Sequence, residues 1–240
     1  LTALVRAATA DRLDLVSQMA RLRVRTGWER LILPAFVYFF ALLYPFRWAN
    51  QPGTRTAAAA GGCSLVRRAA LERAGGLSAI RDAVIDDVAL ARLLKRCGSR
   101  TFLGLADLVD SVRPYHDLAA LWRMVTRSAY AQLRHSVGLL AATVLGLALV
   151  FAVPPVATVA GAVGVVGADW PTVLAGAAAW LLMAATFTPM LRYYGQPVTA
   201  ALLLPFTAVL YLAMTVDSAI QHYRGRGAAW KGRTYPAPQR

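Results

Sequence analysis

Four stretches of the chain are almost wholly apolar, and they divide it before any motif is considered. Residues 137 to 165 (VGLLAATVLGLALVFAVPPVATVAGAVGV), 171 to 190 and 197 to 216 are each at least as long as the roughly 20 residues that cross a bilayer's hydrocarbon. From 137 to 220 the only charges are Asp169, Arg192 and Asp217. Three crossings are the simplest count. The Pro154-Pro155 pair offers a second one, because two prolines free backbone groups and would suit a hairpin or re-entrant turn inside the first run. Basic flanks at both ends (Arg123, Arg127 and Arg134 before the first span; Arg224, Arg226, Lys231 and Arg233 after the last) ask for both ends on one side. An odd number of crossings would violate that rule at one end, so the pattern leaves the topology open.

The fourth run, Leu31 to Phe46, has 16 residues and would reach about 24 Å as a helix, short for a span. Arg30 and Arg47 bracket it, Pro34 and Pro45 lie inside it, and Tyr38, Tyr44 and Trp48 suit a headgroup boundary. These features predict an interfacial segment over 31–48. Residues 114–135 predict an amphipathic helix, with Leu118, Trp122, Val125, Ala129 and Leu133 on one face and Arg123, Arg127, Tyr130 and Arg134 on the other. That helix is either a membrane-surface helix with snorkelling arginines or a binding face for a polyanion.

The polar part of the chain is densest in signals between 56 and 98. Gly61-Gly62, after four alanines, permits close approach of backbone to a ligand or a strand. Cys63 to Val66 predicts a short strand, and Arg68 to Ala74 a helix closed by Gly75-Gly76. Asp86-Asp87 opens a second helix with Val88, Leu90, Leu93 and Leu94 on its apolar side, Lys95-Arg96 in its last turn and Gly98 as its stop. Capping explains one carboxylate at a helix start and explains two adjacent ones less well. The alternative is that one Asp, kept ionised by the helix terminus, is a general base. Leu1 to Ala10 predicts a helix, and Asp107 to Asp110 a strand or turn.

Composition narrows the class. Hydrophobic residues make up 58% of the chain and mean hydropathy is +0.48, above the share usual in soluble domains. The net charge of +14 raises a nucleic-acid partner, but the basic residues adjoin apolar segments, as expected of flanks facing anionic lipid, and not one soluble face. Cys63 and Cys97, with three scattered histidines, imply neither a disulfide nor a zinc framework.

The run Gly61-Gly62, Arg67-Arg68, Leu71, Gly75-Gly76, Asp86-Asp87 and Leu90 resembles the family-2 membrane glycosyltransferases: a small-residue acceptor loop, an RR-x-A-L-x-x-x-G-G turn and an acidic-Asp-x-x-L helix. From DLVSQMARLR (Asp14 to Arg23) through YPFRWAN, AAAAGGCSLVRR and IDDVALA to AWKGRTYP, the chain is most similar to the hopanoid-associated branch. The ending W-K-G-R-x-Y also occurs in carotenoid and other lipid glycosyltransferases. The resemblance implies an α/β fold: residues 1–113 as the acceptor-side part of a GT-A domain, 114–136 as the interfacial helix, 137–220 as an α-helical transmembrane domain and 221–240 as a basic tail. It implies Asp87 as the base with Asp86 in the place usually held by Glu, an acceptor loop at Gly61, Gly62 and Cys63, and pyrophosphate contacts from Arg123 and Arg127. Met124 and Ser128 depart from the Q-x-x-R-W pattern of processive members around Arg127, which argues against polymer synthesis.

It also implies a nucleotide-sugar donor, a membrane lipid acceptor, a divalent metal (Mg or Mn) and a multi-pass protein of the bacterial inner membrane with its catalytic part in the cytoplasm. The metal's D-x-D motif and the nucleotide-binding βαβ half are not in this sequence. Because the chain opens at Leu1 inside a helix, without initiator Met, they are expected upstream. The competing readings are a non-catalytic scaffold or transporter-like subunit whose Asp pair only caps a helix, and a degenerate partner of a separate donor-binding chain. A transporter would place paired ionisable groups within its spans, and here the acidic pair lies outside them.

Overall fold

The structure is a computed structural model that describes residues 2–164 and 170–225 and the backbone of 229–230 and 233–234. Asp169 and the basic-tail residues Arg226 and Lys231 lie outside the described residues, and nothing is described of the side chain of Arg233. The chain forms two compact units. The first comprises residues 1–23 and 39–114, and the second 24–38 and 115–240.

The first unit is built on a three-stranded sheet in the order β2-β1-β3, with β1 at Leu15–Arg21, β2 at Cys63–Val66 and β3 at Thr101–Asp110. β1 runs antiparallel to β2 (Leu15 opposite Val66, Gln18 opposite Cys63) and parallel to β3 (Leu15 opposite Thr101). Leu15, Val16, Ser17, Met19 and Ala20 are all buried, so the central strand lacks the alternation that marks a half-exposed one. Helix α1 (Thr2–Ala10) precedes β1, as predicted. Helix α3 (Phe46–Ala49) ends at Asn50, whose amide donates to Leu103 O (2.9 Å) and accepts from Leu103 N (2.7 Å), pairing with β3 as a neighbouring strand would. The predicted strand at Cys63–Val66 and helix α4 (Arg68–Arg73) are present, and Gly75 follows that helix at φ +95°. A 3₁₀ turn at Leu77–Ile80 leads to α5 (Asp86–Arg96). The core joins Leu15 of β1, Ala57 and Ala59, Ala70 and Ala74, and Ala91 and Leu94 of α5. The alanine run is the part of the loop narrow enough to pass between sheet and helix.

Helix α2 (Gly27–Leu43) crosses the unit boundary, which falls between Tyr38 and Phe39. Its start is a capping box. Glu29 accepts from Thr26 N and Thr26 Oγ1 accepts from Glu29 N, while Glu29 also accepts from Arg25 N and Tyr115 N at 2.8 Å each. Glu29 is fully buried, and these backbone donors satisfy it. The run expected to be interfacial is therefore largely helical, and the first half of α2 packs against two of the long apolar helices. Tyr211 Oη donates to Ile32 O (3.0 Å), and Tyr38 meets Thr186 Oγ1 (2.9 Å) and the ring of Phe187.

The rest of the second unit is helical: α6 (Leu118–Gln132), α7 (Val137–Leu147), α8 (Val153–Ala162), α9 (Trp170–Tyr193) and α10 (Leu204–Tyr223), with a 3₁₀ turn at Val198–Leu203. A two-residue ribbon pairs β4 (229–230) with β5 (233–234). Among the described residues, three segments are long and apolar enough to cross a membrane: Val137–Ala162, Trp170–Tyr193 and Val198–Tyr223. The proline pair does not split the first. A π turn at Ala148–Ala152 joins α7 to α8 directly before Pro154, a wider turn that absorbs the lost i→i−4 bonds.

Helix α6 is where the predicted face needs correction. Its buried residues are Leu121, Val125, Thr126 and Tyr130, so Tyr130 leaves the arginine face to which spacing assigned it. Tyr130 Oη donates to His135 O and meets Tyr223 Oη, each at 2.9 Å, so burial leaves its hydroxyl satisfied. The neighbour is α10: Trp122 Nε1 donates to Asp217 Oδ2 (2.7 Å), which also accepts from Gln221 Nε2. Ser218 Oγ accepts from Tyr130 N and donates to Thr126 O, inserting a hydroxyl into the ladder of α6.

Candidate functional site

The acidic pair sits at the first two positions of α5, where backbone N–H groups lack intrahelical partners. Asp86 is exposed, and its Oδ1 accepts from Asp87 N (3.0 Å). It does the work of a cap, since Ile85 in the N-cap position supplies no side-chain bond. Asp87 is half-buried and divides its carboxylate. Oδ1 accepts from Val88 N (2.7 Å) within the helix, and Oδ2 reaches across to Gly61 N (2.8 Å).

The chemistry of Asp87 follows from that position. Burial raises its pKa above the ordinary carboxylate value, and the neighbouring Asp86 charge adds to the rise. The N–H groups of Val88 and Gly61 pull the other way without cancelling it. Desolvation outweighs the favourable donors, and the result is a carboxylate of greater proton affinity than an ordinary one.

The loop facing Asp87 is fixed from the sheet. Ser17, fully buried in β1, donates from Oγ to Ala60 O (3.1 Å) and accepts from Ala60 N (2.8 Å), while Ser64 Oγ lies 3.2 Å from it. Gly61 lies in contact distance of the carboxylate, and Gly62 has little room to spare. A Cβ on Gly61 would lie 3.4 Å from Asp87 Oδ2, and one on Gly62 would lie 3.2 Å from the Cβ of Ala20. The close approach that Gly61-Gly62 predicts is made to the carboxylate and to β1. Cys63 begins β2 opposite Gln18. The structure therefore brings Asp86, Asp87, Gly61, Gly62 and Cys63 together in the first unit. Arg123 and Arg127 lie on α6 in the second unit, Arg123 exposed and Arg127 half-buried.

Asp107 and Asp110 fall in β3, and Asp110 pairs with Arg21 at 2.7 Å. Among the described residues no group of three or more His, Cys, Asp or Glu side chains is placed to hold a metal ion. Asp86 and Asp87 alone, with both oxygens of Asp87 engaged by N–H donors, do not fit a divalent cation.

Sequence reasoning missed Ser17, Lys95 and Glu29. The motif Thr26-x-x-Glu29 before an apolar run was a legible capping box. A serine interrupting LVSQMA signalled a buried polar contact, but not its partner.

Residues 1–239 match the family described as Glycosyl transferase family 21. No curated protein and no solved structure matches.

Proposed function

The chain belongs to glycosyl transferase family 21, and from that premise we propose that Asp87 is the general base of an inverting transfer from a nucleotide sugar to a membrane lipid. The observation that carries this reading is the divided carboxylate of Asp87, half-buried, raised in proton affinity and held against the Gly61 N–H. Asp87 takes the proton of the acceptor hydroxyl as that oxygen bonds to the anomeric carbon. The bond from that carbon to the diphosphate oxygen breaks, and the nucleoside diphosphate leaves with the electron pair. Attack opposite the leaving group inverts the configuration. Arg123 and Arg127 would offset the charge that builds on the diphosphate. Gly61, Gly62 and Cys63 form the wall along which the acceptor approaches.

The lipid acceptor is favoured by the aromatic segment that leads into the loop. Phe40 packs on Tyr44 and Phe46 (ring centroids 5.2 and 6.4 Å), while Leu42, Leu43 and Trp48 are exposed. Each CH₂ of an acceptor buried there would contribute about 0.8 kcal/mol, a gain a water-soluble sugar does not have. The family-2 likeness extends the proposal to a hopanoid or other polyisoprenoid-derived acceptor, a GT-A donor half and a bacterial inner membrane with the site on the cytoplasmic side. The scaffold reading keeps one point in its favour, since Asp86 is a helix cap, but capping does not account for the bond from Asp87 to Gly61.

The test offers radiolabelled sugar nucleotides to membranes carrying the natural protein, with extracted bacterial lipids or with soluble saccharides. Label is expected in the lipid fraction and lost in Asp87→Asn. Label confined to soluble oligosaccharide would refute the lipid acceptor.

A further inference from the structure

We propose that Lys95 is a positioning residue for the transfer, clamping the far end of the acceptor loop whose near end is held by Asp87. The inference rests on the reading of Asp87 as the base. Lys95 lies in the last turn of α5, where its charge alone would suit the helix dipole. Its Nζ instead turns to the loop and donates to Thr56 O (2.6 Å), Ala49 O (2.9 Å) and Thr54 Oγ1 (3.1 Å), with Trp48 O at 3.4 Å. All four are neutral oxygens. Partial burial pushes its pKa down, and the four oxygens offset that desolvation. An ammonium has three donors free to rotate, and a planar guanidinium would not match the convergent oxygens.

The two clamps belong to one rigid element. Asp87 and Lys95 are eight residues apart on α5, about 12 Å of helix. Thr56 and Gly61 are five residues apart, a stretch that spans at most about 18 Å when extended. The loop therefore runs antiparallel to α5, fixed at Gly61 by the carboxylate and at Thr56 by the ammonium, with Ala57 to Ala60 buried between. Releasing Thr56 frees the far end of the loop while Ser17 still holds Ala60, and a shift of about 1 Å in a positioned reactant costs on the order of a hundredfold in rate.

The experiment measures lipid-acceptor and sugar-nucleotide kinetics separately in native membranes. Lys95→Met keeps length and removes the ammonium. It should lower kcat/KM for the acceptor about tenfold to a hundredfold while leaving KM for the sugar nucleotide unchanged. Lys95→Ala should regain part of the loss when ethylammonium is added, whereas Asp87→Asn should not. Hydrogen exchange should rise over residues 50–61 in Lys95→Met and stay unchanged within α5. Should Lys95→Met fail to fold, Thr54→Val, which removes one acceptor, should give a smaller loss of the same acceptor-selective kind. Wild-type acceptor kinetics in these variants, or equal losses for donor and acceptor, would overturn the role of Lys95 while Asp87→Asn stays inactive. Activity retained in Asp87→Asn would instead overturn the reading on which it rests.

Discussion

Replacing Asp87 by Asn separates catalysis from folding, because the structure sets the two effects at different sizes. The wild-type carboxylate accepts two backbone N–H bonds, one on each oxygen. An amide has one oxygen, so either Gly61 N–H or Val88 N–H loses its partner. Leaving a buried donor unmade costs about 1–3 kcal/mol, and this is an upper bound here, since Gly61 is exposed and water can replace the bond. Against it stands a gain: removing the charge relieves the desolvation and the Asp86 repulsion that raise the pKa of Asp87. The net change in stability should therefore be within about 1 kcal/mol. Loss of a general base lowers turnover about 10²- to 10⁴-fold, or roughly 3–5 kcal/mol of barrier. The assay pairs initial rates of lipid glycosylation with detergent-solubilised melting curves. Asp86→Asn should cost less in rate, since Asp86 bonds only within its own helix turn. Wild-type turnover in Asp87→Asn, or a rate loss that merely tracks lost folded protein, would refute the assignment.

Other consequences follow from the same contacts. The acid limb of kcat/KM should lie above the ordinary carboxylate range and move to lower pH in Asp86→Asn, which removes the repulsion that helps raise the pKa of Asp87; an unmoved limb in a pH–rate profile would count against the coupling. The sign for stability is opposite to that of a salt-bridged Asp. Between the unfolded and the raised folded pKa the native state holds the extra proton, so the contribution of Asp87 is full below that window and is lost as pH rises through it, as melting at stepped pH would register. Glu29→Gln leaves at least one of three backbone donors facing an amide NH₂ and should cost about 2 kcal/mol, or roughly 4–8 °C in melting temperature, with an unchanged melting curve as the contrary result. Arg123→Ala and Arg127→Ala should each weaken inhibition by nucleoside diphosphate more than membrane attachment; unchanged inhibition in both would leave α6 a surface helix.

The elements that sequence made legible were those governed by neighbours in the chain. Gly75-Gly76 ends α4 and Asp86-Asp87 opens α5 because glycine conformation and orphan N–H groups are local matters. The three spans were legible because length and apolarity alone define them. What stayed hidden depends on distant partners. β1 is buried at Leu15 to Ser17 and again at Met19 and Ala20, so it shows no alternation, and the buried Ser17 acts on Ala60, 43 residues away. Lys95 reads as a dipole residue until Thr56, 39 positions earlier, is seen beside it. Tyr130 reads as part of a polar face because periodicity measures angle around a helix, not whether a neighbouring helix brings a partner for the hydroxyl. Within the site, the acidic pair was legible, but the division of labour between Asp86 and Asp87 was not, since it is set by Gly61 across the loop.

The hydroxyl of Ser218 between Thr126 and Tyr130 also has a meaning in time. The two ends of that contact are made 92 residues apart, and at roughly 5–20 residues per second a ribosome needs roughly 5–18 s to travel from one to the other. During that interval Thr126 C=O and Tyr130 N–H have only water and their own helix as partners. The bridge through Ser218 that ties α6 to α10 is therefore a contact that cannot form before synthesis has passed residue 218.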